Sequence, residues 1–227
     1  MLKADLHIHT HEDPNDGYKI KYSAKEFITV ASKMGYDIIA ITNHDAVYYN
    51  DEIAEFARRK GILLIPAIER TVEGKHVLIY NITKEEAEKI KTFEDLRKFK
   101  NKDNLIIAAH PYFLISSLGK KFLENIDIFD AVEYSFFFTR IINFNRKAVK
   151  IAKKYGKPVV GTSDLHNMKY FGFNYTLIDS QKHIPFIIKA IKKNKIELKV
   201  KHLSPFYFIR AGFGVFSGPI RRRLHRK

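Results

Sequence analysis

The sequence contains no cysteine, which excludes disulfide staples and any zinc or iron–sulfur site built on thiolates. A metal bound by this chain must therefore be held by nitrogen and oxygen. No apolar run reaches the roughly eighteen residues at which a spanning helix becomes a candidate. No Pro/Gly/Ser-rich linker, shift of composition or internal repeat divides the chain, so a single domain is expected. The first residues, Met1-Leu2-Lys3-Ala4-Asp5, lack the apolar core and small-residue cleavage site of a secretory signal. Together with the missing cysteines, this points to the cytoplasm.

What is present fits one substantial core. The chain has 227 residues, of which 45% are hydrophobic, enough for one α/β barrel. Its net charge of +15 attracts anions, whether phosphorylated small molecules, nucleic acid or an acidic membrane surface. Charge alone does not choose among them.

Short β-branched runs alternate with amphipathic stretches. Strands are expected at Lys3–His9, Asp37–Thr42, Ile62–Glu69, His76–Ile82, Asn104–His110, Ala131–Ser135 and Lys157–Thr162. Ser23 with Glu26, Thr83 with Glu86 and Thr92 with Asp95 have the spacing of helix N-terminal caps. Asp51–Lys60 and Arg140–Tyr155 read as further helices, the latter with Ile141, Phe144, Ala148, Ile151 and Ala152 on one face. Strands separated by helices imply a mostly parallel sheet, either a barrel or a doubly wound sheet. A barrel over residues 1–203 is expected, followed by an aromatic and basic segment, 204–227.

The strongest local signal is Asp5-Leu6-His7-Ile8-His9. Strand residues two apart share a face, so Asp5, His7 and His9 should lie together, with Asp5 available to orient an imidazole. Polar residues recur where later strands end: Asn43-His44-Asp45, Glu69, His110, and Asp164 with His166. The carboxyl ends of strands are where barrels and open sheets place their sites. His76 begins its strand, and a hairpin after Glu69 would return it to the same end. Converging imidazoles and carboxylates suit a divalent ion.

These segments resemble the polymerase and histidinol phosphatase (PHP) family of metal-dependent phosphoesterases. Asp5–Thr10, Ile41–Asp45, Ile65–Glu69 with Gly74–Leu78, Ala109–Tyr112 and Gly161–His166 stand in the family's order, from about Ala4 to the Gly172 region. The resemblance implies a distorted (β/α)7 barrel and two to three divalent ions, Zn, Mn or Fe. It implies that His7, His9, Glu69 and Asp164 surround one ion and that Glu69 bridges to a second held by His76 and His110. His44 and His166 would hold a third with an acid from the first loop. Asp16 fits that place best, with Asp13 and His11 as alternatives. Catalysis would rest on Glu69, Asp164 and His166. Arg70 and Arg140 are candidate phosphate clamps, because guanidinium matches phosphate in two-point contact.

The expected activity is hydrolysis of a phosphoester in a nucleotide, an oligonucleotide or a small phosphorylated metabolite. Two other readings stand beside it: a metallo-amidohydrolase, which also uses His-x-His strands on a barrel, and a catalytically inactive RNA-binding barrel. The Arg221–Lys227 tail adds a possible polyanion contact.

Overall fold

A computed structural model describes residues 1–113 and 116–212. It contains strands β1 (Leu2–Ile8), β2 (Ile38–Ile41), β3 (Leu63–Val72), β4 (Lys75–Tyr80), β5 (Leu105–Ala108), β6 (Ala131–Tyr134), β7 (Val159–Gly161), β8 (Asn174–Ile178) and β9 (Ile196–Val200). They form one sheet in the order β7-β6-β5-β4-β3-β2-β1-β8-β9. All seven expected strands are present, and the sheet nearly closes into a TIM-like α/β barrel, as expected. Among the described residues no helix is long and apolar enough to cross a membrane.

The sheet is less uniformly parallel than the alternating pattern implies. β1, β2 and β3 run parallel, as do β5, β6 and β7, but β4 is antiparallel to both neighbours. The cause is the tight β3–β4 hairpin, whose two turn residues, Glu73 and Gly74, have φ of 47° and 74°. A two-residue hairpin needs such left-handed residues. β8 and β9 then return antiparallel on the far side of β1.

Closure uses few hydrogen bonds. The N–H of Leu165, beyond β7, donates to the His7 carbonyl at 3.2 Å, and that of His9 donates to the Leu165 carbonyl at 3.1 Å. The Gly161 N–H reaches Thr176 Oγ1 on β8 at 2.9 Å. Glycine at 161 eases this close approach, since a Cβ there would lie 2.5 Å from the Leu198 side chain and 3.0 Å from the Tyr175 carbonyl.

Helices α1 (Ala24–Lys33), α2 (Asp51–Arg59), α3 (Lys84–Lys89), α4 (Phe93–Phe99), α5 (Lys120–Glu124), α6 (Asn145–Lys154) and α7 (Ile184–Lys192) cover the sheet. The three expected capping boxes are formed, at α1, α3 and α4. The helix expected from Arg140 starts only at Asn145. Thr139 and Ile142 close a loop instead, and Ile141, expected on the apolar face, is 84% exposed. Inside the barrel, Leu6, Ile38, Ala40, Ala67, Leu78 and Ile107 pack with Ile187, Ile188 and Ile191 of α7. Polar residues are gathered beyond this apolar plug.

Candidate metal centre

β1 contains the departure that builds the site. Asp5 is in register with Ile39, yet Ile8 is in register with Ile41, so β1 carries one extra residue. Such a bulge re-aims side chains. It breaks the period-two expectation: Asp5 aligns with Ile39, which packs under α1 and α2. Asp5 therefore does not orient an imidazole. Its Oδ1 accepts the N–H groups of His7 at 3.4 Å and Ser163 at 3.1 Å, tying β1 to the segment after β7. Burial pushes its pKa up to about 7 against these hydrogen bonds.

His7 and His9 converge, their Nε2 atoms 3.1 Å apart. Glu69 Oε2 lies 3.4 Å from the first and 3.3 Å from the second. Asp164 Oδ1 lies 3.4 and 3.5 Å from the same two atoms. Four donors around an ion at about 2.0–2.1 Å would be separated by roughly 3.3 Å in a tetrahedron. The five separations therefore fit a divalent ion held by nitrogen and oxygen.

Glu69 is the hub. Its Oε2 also faces His44 Nε2 at 3.1 Å, while Oε1 faces His76 Nδ1 at 2.8 Å and His110 Nε2 at 3.0 Å. The β3–β4 hairpin delivers His76, as expected, by pairing it with Thr71. His166 Nε2 lies 3.2 Å from Asp16 Oδ2. Donors of His9, His44 and His166, of His7, His9 and Glu69, and of His44, Glu69 and His76 each fall within 4.8 Å of one another. All nine residues expected to bind metal thus come together at one end of the barrel.

Around them lies a second set of carboxylates. His7 Nδ1 is 2.7 Å from Glu133 Oε1, and Asp13 Oδ2 is 2.8 Å from both His9 Nδ1 and His44 Nδ1. A carboxylate on one ring nitrogen fixes the tautomer and turns the other toward the centre. Glu133 also accepts the Thr162 hydroxyl and the His110 N–H. The first loop is thereby sorted: Asp13 braces two rings, Asp16 meets His166, and His11 Nδ1 turns away to the Gly17 and Ile20 carbonyls. Asn43 accepts the Thr10 N–H at 3.0 Å and donates to its hydroxyl at 3.1 Å.

The electrostatics follow from this crowding. Burial disfavours charge on His7, but Glu133, Asp164 and Glu69 outweigh it and hold its pKa well above the ordinary value. The same contest, with Asp13, Asp164 and Glu69 opposing burial, raises His9. Burial would raise Glu69 and Asp164, yet the surrounding imidazoles pull both well below the ordinary carboxylate range. Backbone geometry is also constrained: Asp45, His110 and Asp164 have φ of 53°, 24° and 44°. Left-handed non-glycine residues cost of order 1–3 kcal/mol and gather at functional sites.

The two candidate clamps are engaged elsewhere. Arg70 follows Glu69 on β3, so it points to the opposite face, where it binds Asp45 at 2.9 Å and the Ile90 carbonyl at 2.8 Å. Arg140 donates to His202 Nε2 at 3.0 Å. Lys19, not singled out by sequence, sits 2.9 Å from Asp16. It is the third residue after Asp16, on the short 3-10 turn Gly17–Lys19, a spacing that could have flagged it.

A family described as PHP-associated matches residues 143–196. The uncharacterized protein MJ1587 of Methanocaldococcus jannaschii is 28% identical over 142 residues, covering 57% of this chain and 82% of that one. A two-domain protein from Bacteroides vulgatus, described as containing a predicted PHP-like metal-dependent phosphoesterase, superposes with a TM-score of 0.66 at 17% identity, over 94% of this chain and 69% of that one. An amidohydrolase from Chromobacterium violaceum, solved with bound sulfate and no metal, gives 0.56 at 14% identity, over 86% and 97%. The solved structures share the fold. Read with the order of the strand-end motifs, the PHP-associated match over residues 143–196 supports the resemblance to the PHP family.

Proposed function

We propose that this protein is a metal-dependent phosphoesterase acting on a nucleotide, an oligonucleotide or a small phosphorylated metabolite. The observation that carries the reading is Glu69, 1% exposed, with both oxygens within 3.4 Å of ring nitrogens from five histidines. A buried carboxylate shared in this way suits two ions better than one. His7, His9, Glu69 and Asp164 would hold the first, Glu69, His76 and His110 the second, and Asp16, His44 and His166 a third.

Bound there, two or three Zn, Mn or Fe ions would neutralise phosphoryl oxygens and lower the pKa of water from about 15.7 toward about 7. The chain's own groups do the rest. Glu133 and Asp13 hold the rings in one tautomer. Asp164 and His166, with side chains 18% and 31% exposed, line the side open to solvent, where substrate would arrive. Lys19, beside Asp16, is placed to meet phosphate charge there, whereas Arg70 points to the opposite face of β3 and Arg140 reaches His202.

The Chromobacterium likeness gives the amidohydrolase reading a footing. Against it, the shared position is a glutamate, where that chemistry more often uses a modified lysine. The test is a panel of phosphomonoesters, cyclic and linear diesters, oligonucleotides and a cyclic amide, with metal-loaded and chelated protein. Phosphoester turnover lost on chelation is expected. Turnover of the amide alone would overturn the reading, and oligonucleotide binding without cleavage would favour the inactive RNA-binding barrel.

A further inference from the structure

The positive charge is unevenly placed. From Tyr134 to Ser163 there are seven Lys and Arg and no Asp or Glu; from Leu198 to Lys227 there are eight and again none. Those fifteen cations equal the whole net charge of +15, so the rest of the chain is neutral in sum.

The fold joins the first stretch and the described part of the second, residues 198–212, into one surface. The Leu203 N–H donates to the Phe138 carbonyl at 2.8 Å, Arg140 reaches His202, and Phe208 stacks on Phe137 with centroids 4.3 Å apart. Gly161 on β7 lies against Leu198 on β9. Arg140, Arg146, Lys150, Lys201 and Arg210 are exposed, and among the described residues none of these five is paired with a carboxylate.

Large apolar side chains stand out among these cations. Ile141 is 84%, Phe206 68% and Ile209 60% exposed, with Ile142 beside them. Residues 205–212 are helical, so Phe206 and Ile209, three apart, share the outer face. Phe208 and Ala211 on the same helix turn inward to the core. The cations of residues 213–227, outside the described residues, enter only the sequence tally.

We propose that this face docks on an anionic lipid bilayer, Ile141, Phe206 and Ile209 entering the acyl boundary and the cations meeting headgroup phosphates. Apolar burial and electrostatic attraction act together at such a surface. A nucleic acid would reward the cations and stack on aromatic rings, but would leave the protruding isoleucines in water. Because Phe136–Phe138 directly follow the end of β6, the docking face adjoins the barrel mouth. The proposal stands apart from the hydrolytic reading.

Co-sedimentation of the full chain with vesicles tests it. Vesicles of equal parts phosphatidylserine and phosphatidylcholine should bind, and phosphatidylcholine alone should not. The triple variant Ile141→Ser, Phe206→Ser, Ile209→Ser should weaken binding about tenfold or more at unchanged thermal midpoint. The pair Arg146→Gln, Lys150→Gln should weaken it less and flatten its salt dependence. Three results would overturn the proposal: no binding to phosphatidylserine vesicles, equal binding by the triple variant, or single-stranded RNA binding that is tighter than vesicle binding and survives the triple substitution.

Discussion

On the inner side of the imidazole cluster, His7 and His9 are sealed from solvent, and each offers Nδ1 to a protein carboxylate. On the outer side, the His166 ring is 31% exposed, and its Nδ1 lies 3.1 Å from the Asp164 carbonyl and 3.5 Å from the carboxylate of the same residue, which is itself expected to bind metal. The inner rings are therefore oriented before any ion arrives. Of the outer residues, His44 is braced by Asp13, whereas His166 and Asp16 depend on two loops, the first loop and the one after β7. If ions bind as proposed, this contrast predicts a graded site, with the ion at His7 and His9 held more firmly than the one at His166.

The largest effects should come from the inner side. Glu69→Gln, His9→Ala and Asp164→Asn should each reduce turnover by on the order of 10⁴-fold, because the members of a coupled catalytic unit are strongly non-additive. Circular dichroism should show the fold retained. Near-normal activity in any one of them would remove that residue from the centre.

Removing a brace while keeping every proposed ligand should cost less. Glu133→Gln should lower metal affinity by about 10–100-fold, read by competition with a chromogenic chelator. Unchanged affinity would mean that the His7–Glu133 contact does not prepare the inner side. On the outer side, Asp16→Asn should release one ion per chain by elemental analysis and raise KM more than it lowers kcat. Loss of every ion would erase the distinction between the two sides.

The pH dependence of stability has a definite sign in the ion-free protein. Burial opposes charge on His7, His9 and His110, yet neighbouring carboxylates raise all three. Their stabilisation is complete below the unfolded imidazole value of about 6.5 and is lost as pH climbs through the raised values. His44, lowered by burial and by His9, works in the opposite direction. The stabilisation from Asp13, Asp16, Glu69 and Asp164, whose pKa values are depressed, is lost only in acid, so these carboxylates do not offset the change above neutrality. Chelated protein should therefore melt at a lower temperature at about pH 9 than at about pH 6. With metal, which needs neutral rings, the drop should vanish. Parallel curves with and without chelator would contradict this.

Sequence alone reached the parts of the structure that follow from local period and residue type. Seven strands and three capping boxes come from hydrophobic runs and N-terminal caps, and most of the nine converging residues from polar residues at strand ends; His76 needed the hairpin, and Asp16 came from the family resemblance. What escaped has physical causes. β8 hides its burial behind Asn174 and Thr176, both polar and both buried. β9 lies half exposed, without a clean apolar face. The bulge in β1 shifts Asp5 off the histidine side, and no alternation rule foresees an inserted residue. Asp13 stood as the alternative to Asp16 because residue type cannot tell a brace from the group it braces; that depends on where the first loop folds. Arg70 was misjudged by neighbourhood, since the residue beside Glu69 on a strand faces the other way.

The most direct test is elemental analysis of gently purified wild-type and Glu69→Gln proteins, each before and after dialysis against Mn or Zn. The assignment predicts two to three divalent ions per wild-type chain, as counted from the ligands, and a loss of more than one from the single substitution, because Glu69 is shared. Wild-type protein without stoichiometric metal, whose melting point does not respond to added ions, would contradict it.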